Sequence, residues 1–180
     1  SEEEKLKKLL DESEKRLREI LKRHEEIVRD IKRRLEELLK RHKELLDRSL
    51  KRLEELLKEN RDEELERLIR EHKRKLDESH KTLARIVTTL KKKLDETHRR
   101  LEELVRRHKR LLDEIRKLVR AGADVEELLE RVKKSSEDVA REIRKLARDN
   151  ERLLEEVKRL IRKLLEENRE SSKDVEDKIR

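Results

Sequence analysis

The octet LDESHKTL at residues 76–83 returns eighteen residues later as LDETHRRL at 94–101, each copy placing a histidine beside a small hydroxyl residue. Eighteen residues make five turns of an α-helix at about 3.6 residues per turn, so His80 and His98 leave one helix in the same direction. The same spacing runs through the chain. Over residues 6–60 the uncharged positions 6, 9, 10, 13, 17, 20, 21 and 24 begin a pattern that recurs at intervals of eighteen. It marks a stripe about 120° wide at about 100° per residue. A stripe that does not drift predicts straight helices, whereas a seven-residue repeat would impose a left-handed supercoil.

Composition removes the alternatives. Charged residues are 57% of the 180, there is no Pro, Cys, Met, Phe, Tyr or Trp, and Gly122 is the single glycine. Strands, disulfides, thiol chemistry and aromatic stacking have almost no material, and periodic Leu, Ile and Val among Glu, Lys and Arg is the composition of helical bundles. No apolar run approaches the roughly 18 residues of a membrane span, and SEEEKLKK is too charged for a secretory signal, so a soluble, untargeted chain is expected.

Ser1 with Glu4, and Asp124 with Glu127 after RAGAD, read as capping boxes. Gly122 can take the left-handed conformation that ends a helix, and ENRDEEL supplies the other break, with Asn60 as C-cap and Asp62 as N-cap. Helices are therefore expected over about 2–59, 63–120 and 125–179. One stripe per helix and short loops predict an all-α, long, straight, up-down-up three-helix bundle forming a single domain.

Short loops also set which residues face each other: residue numbers on the first two helices should total about 122, and on the second and third about 245. Polar residues inside the stripes then fall level. Ser13 meets His108 and Ser136, with Ser135 adjacent; His24 meets His98, Thr97 and Asn150; His42 meets His80, Ser79 and Asn168; Ser49 meets His72, Ser172 and Ser171. An apolar level of Ile31, Leu90 and Val157 falls between. Surface positions are nearly all charged, so His, Ser, Thr and Asn concentrated inside the stripes point to buried hydrogen-bond networks, with neutral imidazole donating through one nitrogen and accepting through the other.

Other chemistries fit less well. Zinc wants three or four ligands, normally with a Cys or carboxylate among them, and two histidines share a level, so no metal or other cofactor is expected. Ser13 beside His108 has a base near a hydroxyl, but no carboxylate within the stripe orients it, so no catalytic residue is assigned and the chain is not read as an enzyme.

With its capped starts SEEEKLKKLL and DVEELLERV, its eighteen-residue stripe, its Leu/Ile/Val core and His24, His42, His72, His80, His98 and His108 in Ser/Thr/Asn-containing levels, the chain resembles de novo designed helical bundles with buried histidine networks. That family includes pH-responsive self-assembling subunits. The resemblance implies a synthetic structural protein that forms a filament or other homo-oligomer at neutral pH and disassembles or unfolds in acid. Networks of this kind are also used only to fix helix pairing, which leaves a monomeric three-helix scaffold as the alternative.

A buried neutral imidazole loses solvation on protonation and meets partners arranged for its neutral form, so its folded pKa falls below the usual ~6.5. Six rings all held neutral would give a slope of about 8 kcal/mol per pH unit. At the midpoint of the second helix, KTLARIVTTLK leaves Thr82, Ala84, Thr88 and Thr89 outside the stripe with only Arg85 for charge. This is the candidate assembly patch, and Leu50, Leu111, Leu118, Ala140 and Leu160 are further apolar residues off the stripes. One patch meeting a different patch on the next copy makes a heterologous contact that closes a ring or propagates a filament.

The net charge of +8 is uneven: +2 over 1–60 (19 basic, 17 acidic), +7 over 61–122 (20 and 13) and −1 over 123–180 (16 and 17). Acids interleave with the bases and no aromatic can stack on a nucleobase, so a basic nucleic-acid-binding rod ranks below self-association. Neither a small-molecule substrate nor a membrane partner is expected.

Overall fold

The computed structural model describes residues 1–59 and 62–180. Among them the backbone forms three helices and no strand: α1 (Glu2–Glu59), α2 (Glu63–Arg120) and α3 (Val125–Ile179). The protein is an all-α three-helix bundle. Asn60, the expected C-cap, lies outside the described residues.

The helix ends are chemical. The Glu4 amide donates to Ser1 Oγ at 3.3 Å, the Glu64 amide to Asp62 Oδ1 at 3.1 Å and the Glu126 amide to Asp124 Oδ1 at 3.2 Å, each satisfying an amide left without a partner in the first turn. Acids fill all three first turns, where the helix dipole favours them. At the end of α2, Gly122 sits at φ +82°, its amide bonding Val119 O at 3.1 Å, while the Ala123 amide reaches Leu118 O at 3.1 Å. This pair of bonds is a Schellman cap. A Cβ added to Gly122 meets nothing within 4 Å, so Gly122→Ala should cost only the left-handed backbone strain, about 1 kcal/mol in urea unfolding, with Gly122→Asn costing less.

The chain divides into two compact units, each built from segments of all three helices. The first comprises residues 1–30 and 93–152. Its core packs Leu6, Leu10 and Leu17 of α1 against Leu101, Val105, Leu112, Ile115 and Val119 of α2 and Leu128, Val132 and Val139 of α3. Each such side chain contributes roughly 1.5–3 kcal/mol by leaving water. At its border Arg116 of α2 bonds Asp11 at 3.0 Å and Glu14 at 2.8 Å on α1, and Asp113 at 2.9 Å on its own helix.

The second unit comprises residues 31–92 and 153–180. Leu53, Ile69, Val175 and Ile179 form one apolar cluster, and Leu46, Leu50 and Leu76 another. Leu50 is therefore core, not an outer-face residue: Leu46, Leu50 and Leu53 follow i, i+4, i+7 and widen the buried face of α1 beyond the stripe read from the sequence. Of the expected apolar level, Leu90 and Val157 are buried and Ile31 half-buried. Glu36 and Lys91 form an ion pair between α1 and α2, and Arg52 reaches Glu176 of α3 at 2.9 Å.

Two stripe residues depart in the other direction. Ile27 is 50% and Leu45 54% exposed, and Leu160 of α3 is 47% exposed. Ile27 and Leu45 stand at the edge of the α1 stripe, where a three-helix arrangement covers less of each helix than its apolar width, and Leu160 lies off the stripe as expected.

Candidate functional site: four histidine networks

Each unit holds two polar networks inside its apolar packing. In the first unit the His108 ring lies between two hydroxyls, Nε2 3.2 Å from Ser13 Oγ on α1 and Nδ1 2.8 Å from Ser135 Oγ on α3. The expected partner Ser136 is not the bonded one. It lines a neighbouring cavity with Ser13 and His108, because one residue of helix turns the side chain by about 100°.

His24 and His98 meet Nδ1 to Nδ1 at 2.9 Å. Their ring centroids are 5.1 Å apart and their planes differ by 3°. With each nitrogen about 1.1 Å from its ring centre, the 2.9 Å contact accounts for nearly the whole separation, so the rings lie edge to edge and share one in-line N–H···N bond. His98 Nε2 lies 3.0 Å from Glu102 Oε1, a partner absent from the reading of the sequence. With both rings neutral, a proton on His98 Nε2 towards Glu102 makes its Nδ1 the acceptor of the bond from His24 Nδ1. Two other expected members stay out. Thr97 returns its hydroxyl to Lys93 O at 3.0 Å, the usual back-bond of a helical threonine, and half-buried Asn150 has no side-chain hydrogen bond to this pair among the described residues.

In the second unit His42 and His80 meet in the same way, Nδ1 to Nδ1 at 2.9 Å with centroids 5.2 Å apart. The Asn168 amide donates to Ser79 Oγ at 2.6 Å and lies 3.3 Å from His42 Nε2. His42 therefore accepts at Nε2 and donates at Nδ1 to His80. The last network places His72 between Ser172, 3.1 Å from Nε2, and Ser171, 3.2 Å from Nδ1, with Ser49 donating to Ser172 at 3.4 Å. Within each unit the pairings give the antiparallel register expected: Ser13 faces His108 where His24 faces His98, and His42 faces His80 where Ser49 approaches His72 through Ser172.

Burial grades the rings. His42 and His72 are 2% and His108 3% exposed, whereas His24, His80 and His98 are half-buried, so three rings are sealed from water, not the six expected. The half-buried rings belong to the two pairs, where a second imidazole fills space that apolar side chains fill elsewhere. Burial pushes the pKa of His24, His42, His72 and His108 below 6.5, and the neighbouring charges of His98, His80 and Lys75 push His24, His42 and His72 down further. Among the described residues no buried side-chain nitrogen or oxygen lacks a partner.

The networks differ in how they meet a proton. Around His72 and His108 a serine hydroxyl can rotate to accept from a new N–H, leaving mainly the cost of burying charge. Protonated His42 would turn Nε2–H against the Asn168 N–H, and flipping the amide to relieve this gives up the bond to Ser79. Asn168→Asp puts an acceptor there, so its acid transition should lie about half a pH unit or more below that of the parent, measured by circular dichroism.

The pairs are shaped for a proton and not for a metal. In each, the facing nitrogens are too close for an ion between them, since zinc needs about 2.0–2.1 Å to each nitrogen. Among the described residues no group of three or more His, Cys, Asp or Glu is placed to hold a metal ion. The candidate assembly residues Thr82, Arg85, Thr88 and Thr89 are exposed and Ala84 is half-buried, with Thr82 and Thr88 hydroxyls bonded back to Glu78 O at 3.0 Å and Ala84 O at 2.9 Å. Satisfied hydroxyls leave a small, weakly charged surface.

Fold and site together define a three-helix protein carrying internal histidine hydrogen-bond networks. No family model, curated protein or solved structure matches the chain. Among the described residues no helix is long and apolar enough to cross a membrane.

Proposed function

We propose that the chain is a de novo designed structural subunit that associates with its own copies at neutral pH and disassembles or unfolds on acidification, with no catalytic role. The observation that carries this reading is the wiring of His42, His72 and His108, each almost fully buried with both ring nitrogens engaged in a pattern suited to the neutral ring. Networks needed only for pairing could be built from Ser and Asn. Imidazole is the polar group whose charge changes between about pH 5 and 8.

Self-association is supported by the exposed apolar side chains Ile27, Leu45 and Leu160 and by the weakly charged face of Thr82, Ala84, Arg85, Thr88 and Thr89 on a chain otherwise coated in charge. Ala84→Glu with Thr88→Glu should abolish particles in negative-stain microscopy at pH 7.5 while helix content is unchanged. Particles that persist would remove this face from the contact. A monomer by sedimentation at every pH, still switching its helix content, would leave an acid-labile scaffold and sink the assembly half of the proposal.

A further inference from the structure

The two histidine pairs share one geometry, yet only one of them has room for a proton. In the second unit each ring nitrogen that could take one already accepts a hydrogen bond, His42 Nε2 from Asn168 and His80 Nδ1 from His42 Nδ1. A proton added there sets a donor against a donor. In the first unit the proton that His98 holds on Nε2 towards Glu102 leaves its Nδ1 to accept from His24, so neutral His24 has its one proton on Nδ1 and a bare Nε2. Among the described residues nothing bonds that Nε2, and no buried side-chain nitrogen or oxygen lacks a partner, so this nitrogen of the half-buried ring reaches the surface. The sequence carries the same difference. Glu102 stands four residues after His98 where Ala84 stands four after His80, and Asn168 closes on His42 whereas Asn150 bonds neither ring of the first pair.

We propose that the His24–His98 pair is a proton-binding site of the folded protein, taking one proton at His24 Nε2 with Glu102 as its counter-charge. The proton comes from solvent, and no hydrogen bond is given up: His24 Nδ1–H still donates to His98 Nδ1, His98 Nε2–H still donates to Glu102, and the new Nε2–H meets water. The bond between the rings becomes charge-assisted. A second proton is refused, since it would set two N–H groups against each other across 2.9 Å. The charged groups about the pair are Glu102 and, one turn before His98 on α2, Asp95, with Arg23 of α1 beside His24 as the opposing cation. Where α3 packs beside His24 it offers Ile143, Leu146 and Ala147, none of which titrates. Burial holds the His24 pKa below 6.5, so the site fills in mild acid, and its midpoint belongs to the pair because the rings share the proton. The site depends neither on association between copies nor on the sealed rings governing unfolding.

The test is nitrogen-15 NMR of the His24 and His98 rings in the full chain, titrated downward from pH 7.5 with helix content followed in the same samples. The pair should take up one proton while the helix signal is unchanged, and the His42–His80 pair none until that signal falls. Glu102→Gln keeps an oxygen to accept from His98 Nε2–H and removes only the charge. It should leave helix content at pH 7.5 unchanged and weaken proton uptake at least threefold, a midpoint lower by about half a pH unit or more. The proposal would be overturned by a pair that stays neutral until the helices are lost, by uptake of two protons, by charging in step with His42–His80, or by a midpoint that Glu102→Gln does not move.

Discussion

Lowering the pH from 7.5 to 4 is expected to abolish the native helix signal, or the assembled state, over a narrow interval that opens below about 6.5. The sign follows from burial. His42, His72, His108 and His24 have folded pKa values pushed below that of the free side chain, so the unfolded chain binds more protons. Their contribution to stability is complete above ~6.5 and drains away as pH falls towards the folded values. Each ring can supply at most about 1.4 kcal/mol per pH unit, so the three sealed rings reach about 4, a large share of a total stability of ~5–15 kcal/mol. Half-buried His24 adds less, since water screens its charge. That places the steepness near half of what six sealed rings would give, and a transition spread over several pH units would contradict it.

The second large effect concerns a single ring. His108→Ala should destabilise the protein by about 2–4 kcal/mol at pH 7.5 in urea unfolding, because it opens a cavity and strips Ser13 and Ser135 of their shared partner in a unit with a continuous apolar core. The contrast is a triple variant, His108→Leu with Ser13→Ala and Ser135→Ala, which replaces every polar member by an apolar group. It should be neutral or more stable than the parent, and its acid transition should be shallower by about 1.4 kcal/mol per pH unit. If the single and triple variants lose the same stability, the network is not what His108 contributes.

Much of this was legible in the sequence because it is written in helical geometry. The eighteen-residue stripe, the Asp62 and Asp124 caps and Gly122 mark the helices, and short loops set the register, which is why the sequence alone puts His42, His80, Ser79 and Asn168 on one level. What escaped depends on side-chain direction within a level. Ser135 and Ser136 are neighbours in sequence but about 100° apart on the helix, and only packing chooses between them. Thr97 shares a level with His24, yet a β-branched hydroxyl in a helix has its own backbone carbonyl within reach. Glu102 had a signal: it is an acid four residues after a histidine, the spacing at which helical side chains meet. It stands outside the stripe, so the stripe alone does not single it out. Degrees of burial were the least legible, since His24 and His42 occupy equivalent places in the repeat, each with an Asn eighteen residues from the other's, but only Asn168 turns its amide into the network.

The central claim is that sealed, uncharged imidazoles hold the native state and fail together. The most direct measurement is a nitrogen-15 NMR titration of the His42, His72 and His108 rings with helix content followed in the same samples. All three should show one protonated and one bare nitrogen at pH 7.5, stay neutral below 6.5, and take up protons only as the helix signal or the assembly is lost. Rings that titrate one by one near 6.5 while the helices remain intact would contradict it.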